Sequence, residues 1–516
     1  MSSETDDNVF DQVMFQVGNS GKFQKIYNFI FNLVFVFVAT MANFNTIISL
    51  STPEHWCKVP GKATNMSIDL WKNLTIPREL DNNRKIITDC LHGWEYDQTY
   101  YTQTIVSQEN WVCDSKMHAT NLLVFGKIGE ILGTIFSQLG DIYGRRPVFY
   151  AGILTVVIGR LGLLACKGFY LLFVAFLIIG NLSGMALFQA PLVISVEISS
   201  VEDRAMIPLL QCVGWTVGLC LSPLIFWVVG DWVPFTVITT VPVLVFLCMI
   251  ESPRWLASKG KIKECVVELK KIAKVNRTQL SDKLLVTLNN KPVSEEKNFG
   301  VMSLFGSWKL AKKSILIITG WICQMMIYFI LFFNVSNLKG NPFMNYFWQG
   351  LAELPGYFLG KYLSDAVGRK YTKFAAFIGL GIVAIILAYV LSICGSIMKC
   401  ISSIAFYAIN LQTLEIYPTC LRQTGSSMGF LVASLFGILT PYVTYLGTSI
   451  NASLPYVIIV ILAAAGAIFG MFIPETLNEK LPESIREAEE FGADQKVWDF
   501  PRGKLFTHKP VPNNVL

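Results

Sequence analysis

Two short segments set acids and bases at a fixed spacing, and both recur. DIYGRR at Asp141–Arg146 returns as DAVGRK at Asp365–Lys370, so Asp141, Arg145 and Arg146 correspond to Asp365, Arg369 and Lys370. Downstream of each comes an acid with an arginine seven positions on: Glu197 with Arg204, then Glu415 with Arg422. Groups of this kind at helix ends do no covalent chemistry. They make charge-assisted pairs that lock neighbouring helices and can break and reform, which suits a gate. Two matched sets in matching order mean a duplicated unit. Parallel repeats of this kind are a transporter architecture with the solute site between the halves.

A second group of ionisable residues lies inside apolar runs, where charge is costly and each instance points to function. Glu353 sits in the middle of such a run and can balance a cationic solute, with Gln349 one helical turn earlier on the same face. Lys127 and Glu130, three residues apart, share a helix face and can neutralise each other; solute binding or proton coupling is the sharper alternative. Arg160 falls near the end of its run, from which its stem is expected to reach the interface by snorkelling. The chain shows no P-loop, no recognisable nucleophile–base set and no metal-type Cys/His spacing, so an enzyme, a cofactor and a metal are not expected.

The elements that must carry these residues follow from composition. Of 516 residues, 53% are hydrophobic and 15% charged, against roughly 25% charged in soluble domains, and the mean hydropathy is +0.48. Lipid is the expected solvent. The net charge of +6 includes no basic block that would suggest nucleic acid. Runs of about 20 apolar residues, the length that crosses a bilayer, occur six times between Ile26 and Met249 and six times between Ser314 and Ile473. The expected fold is an all-α membrane protein of twelve transmembrane helices in two pseudo-symmetric six-helix halves. The expected divisions are an N-terminus 1–25, a bundle 26–250 with an outer loop 51–120, a linker 251–313, a bundle 314–473 and a tail 474–516.

Lys22 and Lys25, then Arg145, Arg146, Arg369, Lys370 and Lys373, place the short basic segments and both termini in the cytoplasm. The loop 51–120 then lies outside, where disulfides and N-glycans form. It holds Cys57, Cys90 and Cys113, which permit one bridge of undetermined pairing, and sequons at Asn65 and Asn73. In the linker, IKECVVELKKIAKVN has helical apolar spacing and is expected to pack beneath the bundle or on the membrane surface.

D-x-x-G-R-[RK] twice over resembles the signature of the major facilitator superfamily. FDQVMFQVGNSGKFQ, STPEHWCKVPG, TIVSQENWVCD, ESPRWL, GNPFMNYFWQGLAELPGY, EIYPTCLRQTG and IPETLNEKLPES narrow the resemblance to the organic cation, anion and zwitterion transporters of solute carrier family 22. That resemblance spans nearly the whole chain and implies a multi-pass plasma-membrane carrier working by alternating access. It also implies that Glu353 lines the central cavity, that Tyr328 and Gln211 face solute, and that Phe188 stands at the place of a pocket tryptophan. Aromatic faces attract organic cations. The chain departs from the pattern at Ser137, where the signature has glycine, and at Leu177, where arginine is usual. Ser434 is neutral at the position that carries Asp in many cation carriers and Arg in many anion carriers.

Glu353 has no evident mid-span cationic partner in its own half, so small organic cations or zwitterions are the expected solutes, with the lipid bilayer as the other partner. An organic anion or carboxylate carrier using Lys127 is one alternative, and a non-transporting receptor or vesicle glycoprotein is another. No cofactor or coupling ion is assigned.

Overall fold

A computed structural model of the chain describes residues 12–58, 78–81, 84–87, 90, 93–200, 206–279, 301–337, 340–390, 395–418, 421–477, 479, 482 and 485–495. Long apolar helices dominate it. Ten of the described helices are long and apolar enough to cross a membrane. The first five spans are Lys22–Ser49, Cys113–Phe136, Arg145–Ala165, Tyr170–Ile198 and Met206–Val229. The seventh is Trp308–Phe333, and the ninth to twelfth are Arg369–Leu387, Gly395–Ile416, Thr424–Ser449 and Leu454–Met471. The sixth is the shorter apolar helix Trp232–Phe246. The eighth is broken at Ala352 into Pro342–Leu351 and Glu353–Val367.

The breaks have local causes. Pro342 starts the eighth span, with the Asn341 side chain capping its first turn; proline is tolerated there because the first helical N–H groups have no intrahelical acceptor. The first span contains a π-helical turn at Asn28–Val34, a feature that often marks a functional site. Glycines let spans cross closely. A Cβ at Gly159 would stand 2.3 Å from the Cα of Gly180, and one at Gly356 would stand 2.5 Å from the carbonyl oxygen of Cys400.

Each half has its own core. Phe35, Phe149, Ile153, Leu187 and Ile194 belong to the first, and Trp321, Ile327, Phe377, Ala384 and Ile459 to the second. The linker helix Ile262–Asn276 buries Cys265, Leu269, Ile272 and Ala273 in the first core, so its apolar stripe meets protein. Its end is tied down as well: the Asn276 amide donates to the carbonyls of Val17 and Gly18 at 3.1 and 2.9 Å. The acidic stretch near Glu487 forms a short helix, Ile485–Glu490, and Lys313 donates to the carbonyls of Ala488 and Phe491 at 2.7 and 2.6 Å.

Between the first two spans the chain forms a small folded loop, and the face it occupies is called the loop face; the opposite face, with the two repeated motifs, is the turn face. His55–Cys57 pairs antiparallel with Trp94–Tyr96, and Arg78–Asp81 with Arg84–Ile87. The disulfide joins Cys57 to Cys90, which resolves the pairing left open by sequence and leaves Cys113 outside it. Asn65 and Asn73 lie outside the described residues, as does Arg204.

The halves close on each other at the loop face. Phe44 and Phe332 have ring centroids 4.9 Å apart, Tyr101 and Phe343 5.1 Å, and Phe226 and Phe343 5.7 Å. Tyr442 donates a hydrogen bond to Asn121 at 3.1 Å, joining the eleventh span to the second. Leu219, Phe333, Val335 and Tyr346 complete this apolar plug.

Candidate functional site

Glu353 is fully buried at the break in the eighth span, 0% exposed. Tyr328 of the seventh span donates to its Oε1 at 2.9 Å, and Tyr357, one turn further along the eighth, donates to Oε2 at 3.3 Å. The Lys399 ammonium lies 3.1 Å from Glu353 Oε1, as an ion pair by distance without hydrogen-bond alignment. The same ammonium sits 3.1 Å from the centroid of the Tyr328 ring. Lys399 overturns the expectation that Glu353 has no cationic partner in its half. The apolar run of the tenth span starts at Ile401, but the helix starts earlier, at Gly395. That extra turn carries Lys399 inside, 1% exposed.

Polar contacts continue into the other half. Trp215 of the fifth span donates from its indole N–H to the Tyr328 hydroxyl at 3.2 Å. Its ring meets Phe188 edge-on at 5.4 Å. Gln211, one turn before Trp215, donates to the carbonyl of Phe188 and to Asn32 Oδ1, both at 2.9 Å. Asn32 belongs to the π turn of the first span and also donates to Ser195. Trp215, Asn32 and Lys399 were not singled out in the sequence. A polar residue in a span was the available signal for Asn32 and Lys399, and an aromatic among many aromatics gave none for Trp215.

The remaining candidates separate. Lys127 pairs with Glu130 at 2.7 Å, and its ammonium stands 3.1 Å from the centroid of the Phe329 ring. Phe329 in turn meets Tyr328 edge-on at 5.5 Å, so the second-span pair adjoins the Glu353 cluster through one ring. Gln349 is buried with its side-chain oxygen unpaired. Ser434 is buried in the eleventh span and has no described hydrogen bond to the cluster. Arg160 does not snorkel. It is fully buried, donating to Thr46 and Asn181 at 2.7 Å each and to the carbonyl of Asn43 at 3.2 Å.

The turn face carries two copies of one latch. Arg145 pairs with Glu197 at 3.2 Å, and Arg369 with Glu415 at 3.0 Å; Arg369 also lies 3.6 Å from Asp365. Both pairs stay within their own half. Two further carboxylates, absent from the sequence-based set, complete them. Glu251 accepts the backbone N–H groups of Arg145 and Arg146, both at 3.1 Å. Glu475 accepts those of Arg369 and Lys370 at 2.9 and 3.0 Å. Each acid thus caps the start of a span, where unpaired N–H groups and the helix dipole favour negative charge. Ser252 donates to Glu197 and Thr476 to Glu415, so the residue after each capping acid closes the ring. Burial pushes the Glu251 carboxyl above the usual carboxylate range, although its hydrogen bonds to Ser252, Arg146 and Arg145 and the Arg145 charge pull the other way. The Arg146 side chain turns to the Tyr150 hydroxyl at 3.1 Å. The side chains of Asp141 and Arg422 lie outside the described set.

Two six-helix halves, a charged aromatic cluster between them and a duplicated latch at one face define a membrane carrier of the major facilitator type. The chain belongs to the sugar (and other) transporter family, whose model matches residues 16–488. It is similar to the carcinine transporter of Drosophila melanogaster, 28% identical over 95% of this chain and 80% of that protein. It is also similar to organic cation/carnitine transporter 2 of Homo sapiens, 27% identical over 98% of this chain and 96% of that one. Among solved structures it resembles the proton:xylose symporter XylE bound to 6-bromo-6-deoxy-D-glucose. The TM-score is 0.59 at 16% identity, covering 89% of this chain and 98% of that one, and this likeness concerns the fold alone.

Proposed function

We propose that this protein carries small organic zwitterions or cations across the plasma membrane by alternating access, with the loop face outside and both termini in the cytoplasm. The observation that carries the reading is the buried Glu353–Lys399 pair, held by Tyr328 at the junction of the halves. A solute ammonium can replace Lys399 on Glu353, and the Tyr328 and Trp215 rings offer it π faces. A solute that also bears an acid can take up the displaced lysine, so neither buried charge is left alone. That exchange favours zwitterions over simple cations, because an unpaired charge in this setting is costly. The names of the relatives, a carcinine transporter and an organic cation/carnitine transporter, agree with this class of solute.

Orientation rests on the basic residues of the turn face and on the disulfide in the loop, which belongs in an oxidising compartment. The rival use of Lys127 as an anion site is weaker because Glu130 already neutralises it at 2.7 Å.

The test is uptake into cells expressing the chain, with surface level checked, using labelled zwitterions, cations and anions. Saturable zwitterion or cation uptake should fall at least about tenfold in Glu353→Gln and in Lys399→Gln. Saturable anion uptake indifferent to both would overturn the reading.

A further inference from the structure

A basic cavity opens at the turn face, away from Glu353 and within the second half. It has a volume of about 280 Å³, and its lining includes Lys309, Lys312, Lys313 and Lys370, the base of the twelfth span from Met471 to Pro474, and Glu489 and Gln495 of the tail. Four lysines and one glutamate line it. Lys313 is held at the tail helix by backbone carbonyls, and Lys370 is buried. Lys309 and Lys312 are exposed and form no ion pair with a described residue.

The surroundings match a bilayer surface. Trp308 is 78% exposed and Met302 82% exposed, beside the lysines at the very start of a span. An interfacial tryptophan next to a basic hollow between helix ends is suited to a lipid headgroup. Glu489 works against an anion, but the balance of charge remains positive.

We propose that this cavity binds a phosphate group of more than one negative charge, presented by an anionic phospholipid at the turn-face surface. Lys309 and Lys312 grip the phosphate, Lys313 and Lys370 supply the positive floor, and Trp308 packs on the glycerol and upper acyl chain. The tail carries a consequence. Gln495, in the cavity wall, accepts from the Glu475 N–H at 2.8 Å and donates to the Glu475 carbonyl at 3.0 Å. A bound headgroup therefore presses on the segment that caps the ninth span.

The experiment is direct binding to the purified full chain in phosphatidylcholine nanodiscs, with fluorescent short-chain phosphatidylinositol 4-phosphate as the probe. Lys309→Gln with Lys312→Gln should weaken binding about tenfold or more, with no change in unfolding temperature because both side chains are exposed. Lys22→Gln with Lys25→Gln, at the start of the first span, should leave it unchanged. Trp308→Ala should weaken the lipid probe and not inorganic phosphate. If inorganic phosphate displaces the probe at the lipid's own concentration, the phosphate site stands and its source is soluble. Wild-type binding in the Lys309/Lys312 variant, or an equal loss in the Lys22/Lys25 variant, would overturn the site. None of these readings depends on transport.

Discussion

Lys399 changes what Glu353 means. A lone buried carboxylate selects for positive charge, whereas the pair is neutral, and on the function proposed above a solute would open it by substitution. Removing one member of a buried pair leaves the other uncompensated and costs about 3–5 kcal/mol, while removing both costs far less. Glu353→Gln and Lys399→Gln should therefore each destabilise the purified protein more than the double variant does. Thermal unfolding of the three variants measures this, and additive losses would mean that the two groups do not act as a pair. Tyr328→Phe removes hydrogen bonds to Glu353 and from Trp215 while keeping the ring. It should lower solute affinity about tenfold or more, at about 1.5–3 kcal/mol for a hydrogen bond to a charged group, with expression intact. An unaltered dose–response of uptake would remove Tyr328 from the site.

Among the elements, the broken eighth span and the closely crossing third and fourth spans carry most of the geometry. The break at Ala352 puts Glu353 in the first turn of a helix, where a carboxylate is favoured by the dipole. The third and fourth spans meet at Gly159 and Gly180, and Gly159 has no room for a side chain. Gly159→Val should force them apart and cost about 1–3 kcal/mol, as overpacking does. The same shift would stretch the Arg160 bonds to Thr46 and Asn181. Reduced unfolding temperature with weakened uptake is the expected result, and a variant of wild-type stability would mean that the crossing is looser than it stands here. On the turn face the first latch ties together the start of the third span, the end of the fourth and the segment at Glu251 and Ser252, so Arg145→Gln should slow cycling while leaving solute binding largely intact. Turnover at the wild-type rate would sever the latch from gating.

For the whole molecule, each half has its own core, and the two meet both in the apolar plug of the loop face and through the Trp215–Tyr328 hydrogen bond. Asn121 and Tyr442 are hydrogen-bonded across the junction. A protein carrying Asn121→Cys and Tyr442→Cys should be trapped by oxidation with uptake lost, and reductant should restore it. Uptake that survives cross-linking would rule out opening of this face as part of the cycle. Topology has its own check. With Cys57→Ser, Cys90 is left as a thiol and should react with a membrane-impermeant maleimide on intact cells. Absence of labelling in a variant present at the surface would reverse the orientation. The bridge closes a loop of 33 residues in separation, so its loss should lower the stability of the folded loop by about 3 kcal/mol.

The sequence by itself determined the lipid solvent, the two six-helix halves and the duplicated latch, because apolar runs of bilayer length and repeated charges at helix ends are local patterns. It also singled out Glu353, Tyr328, Gln211 and Phe188. The tertiary structure alone decided which charges meet. Lys399 lies 46 positions from Glu353, and nothing local announces the pairing. Sequence position made Arg160 an interfacial residue, and the packing of the first, third and fourth spans buried it instead. Glu251 and Glu475 stood in recognisable segments, but their capping role depends on helix starts about a hundred residues away, 106 from Arg145 and Arg369 alike. Three loop cysteines permitted one bridge in any pairing, and the fold of the loop chose Cys57 with Cys90. Local periodicity fixes a helix and its face, whereas the partner of a buried charge is set by how helices cross, and that depends on the shape of every side chain between them.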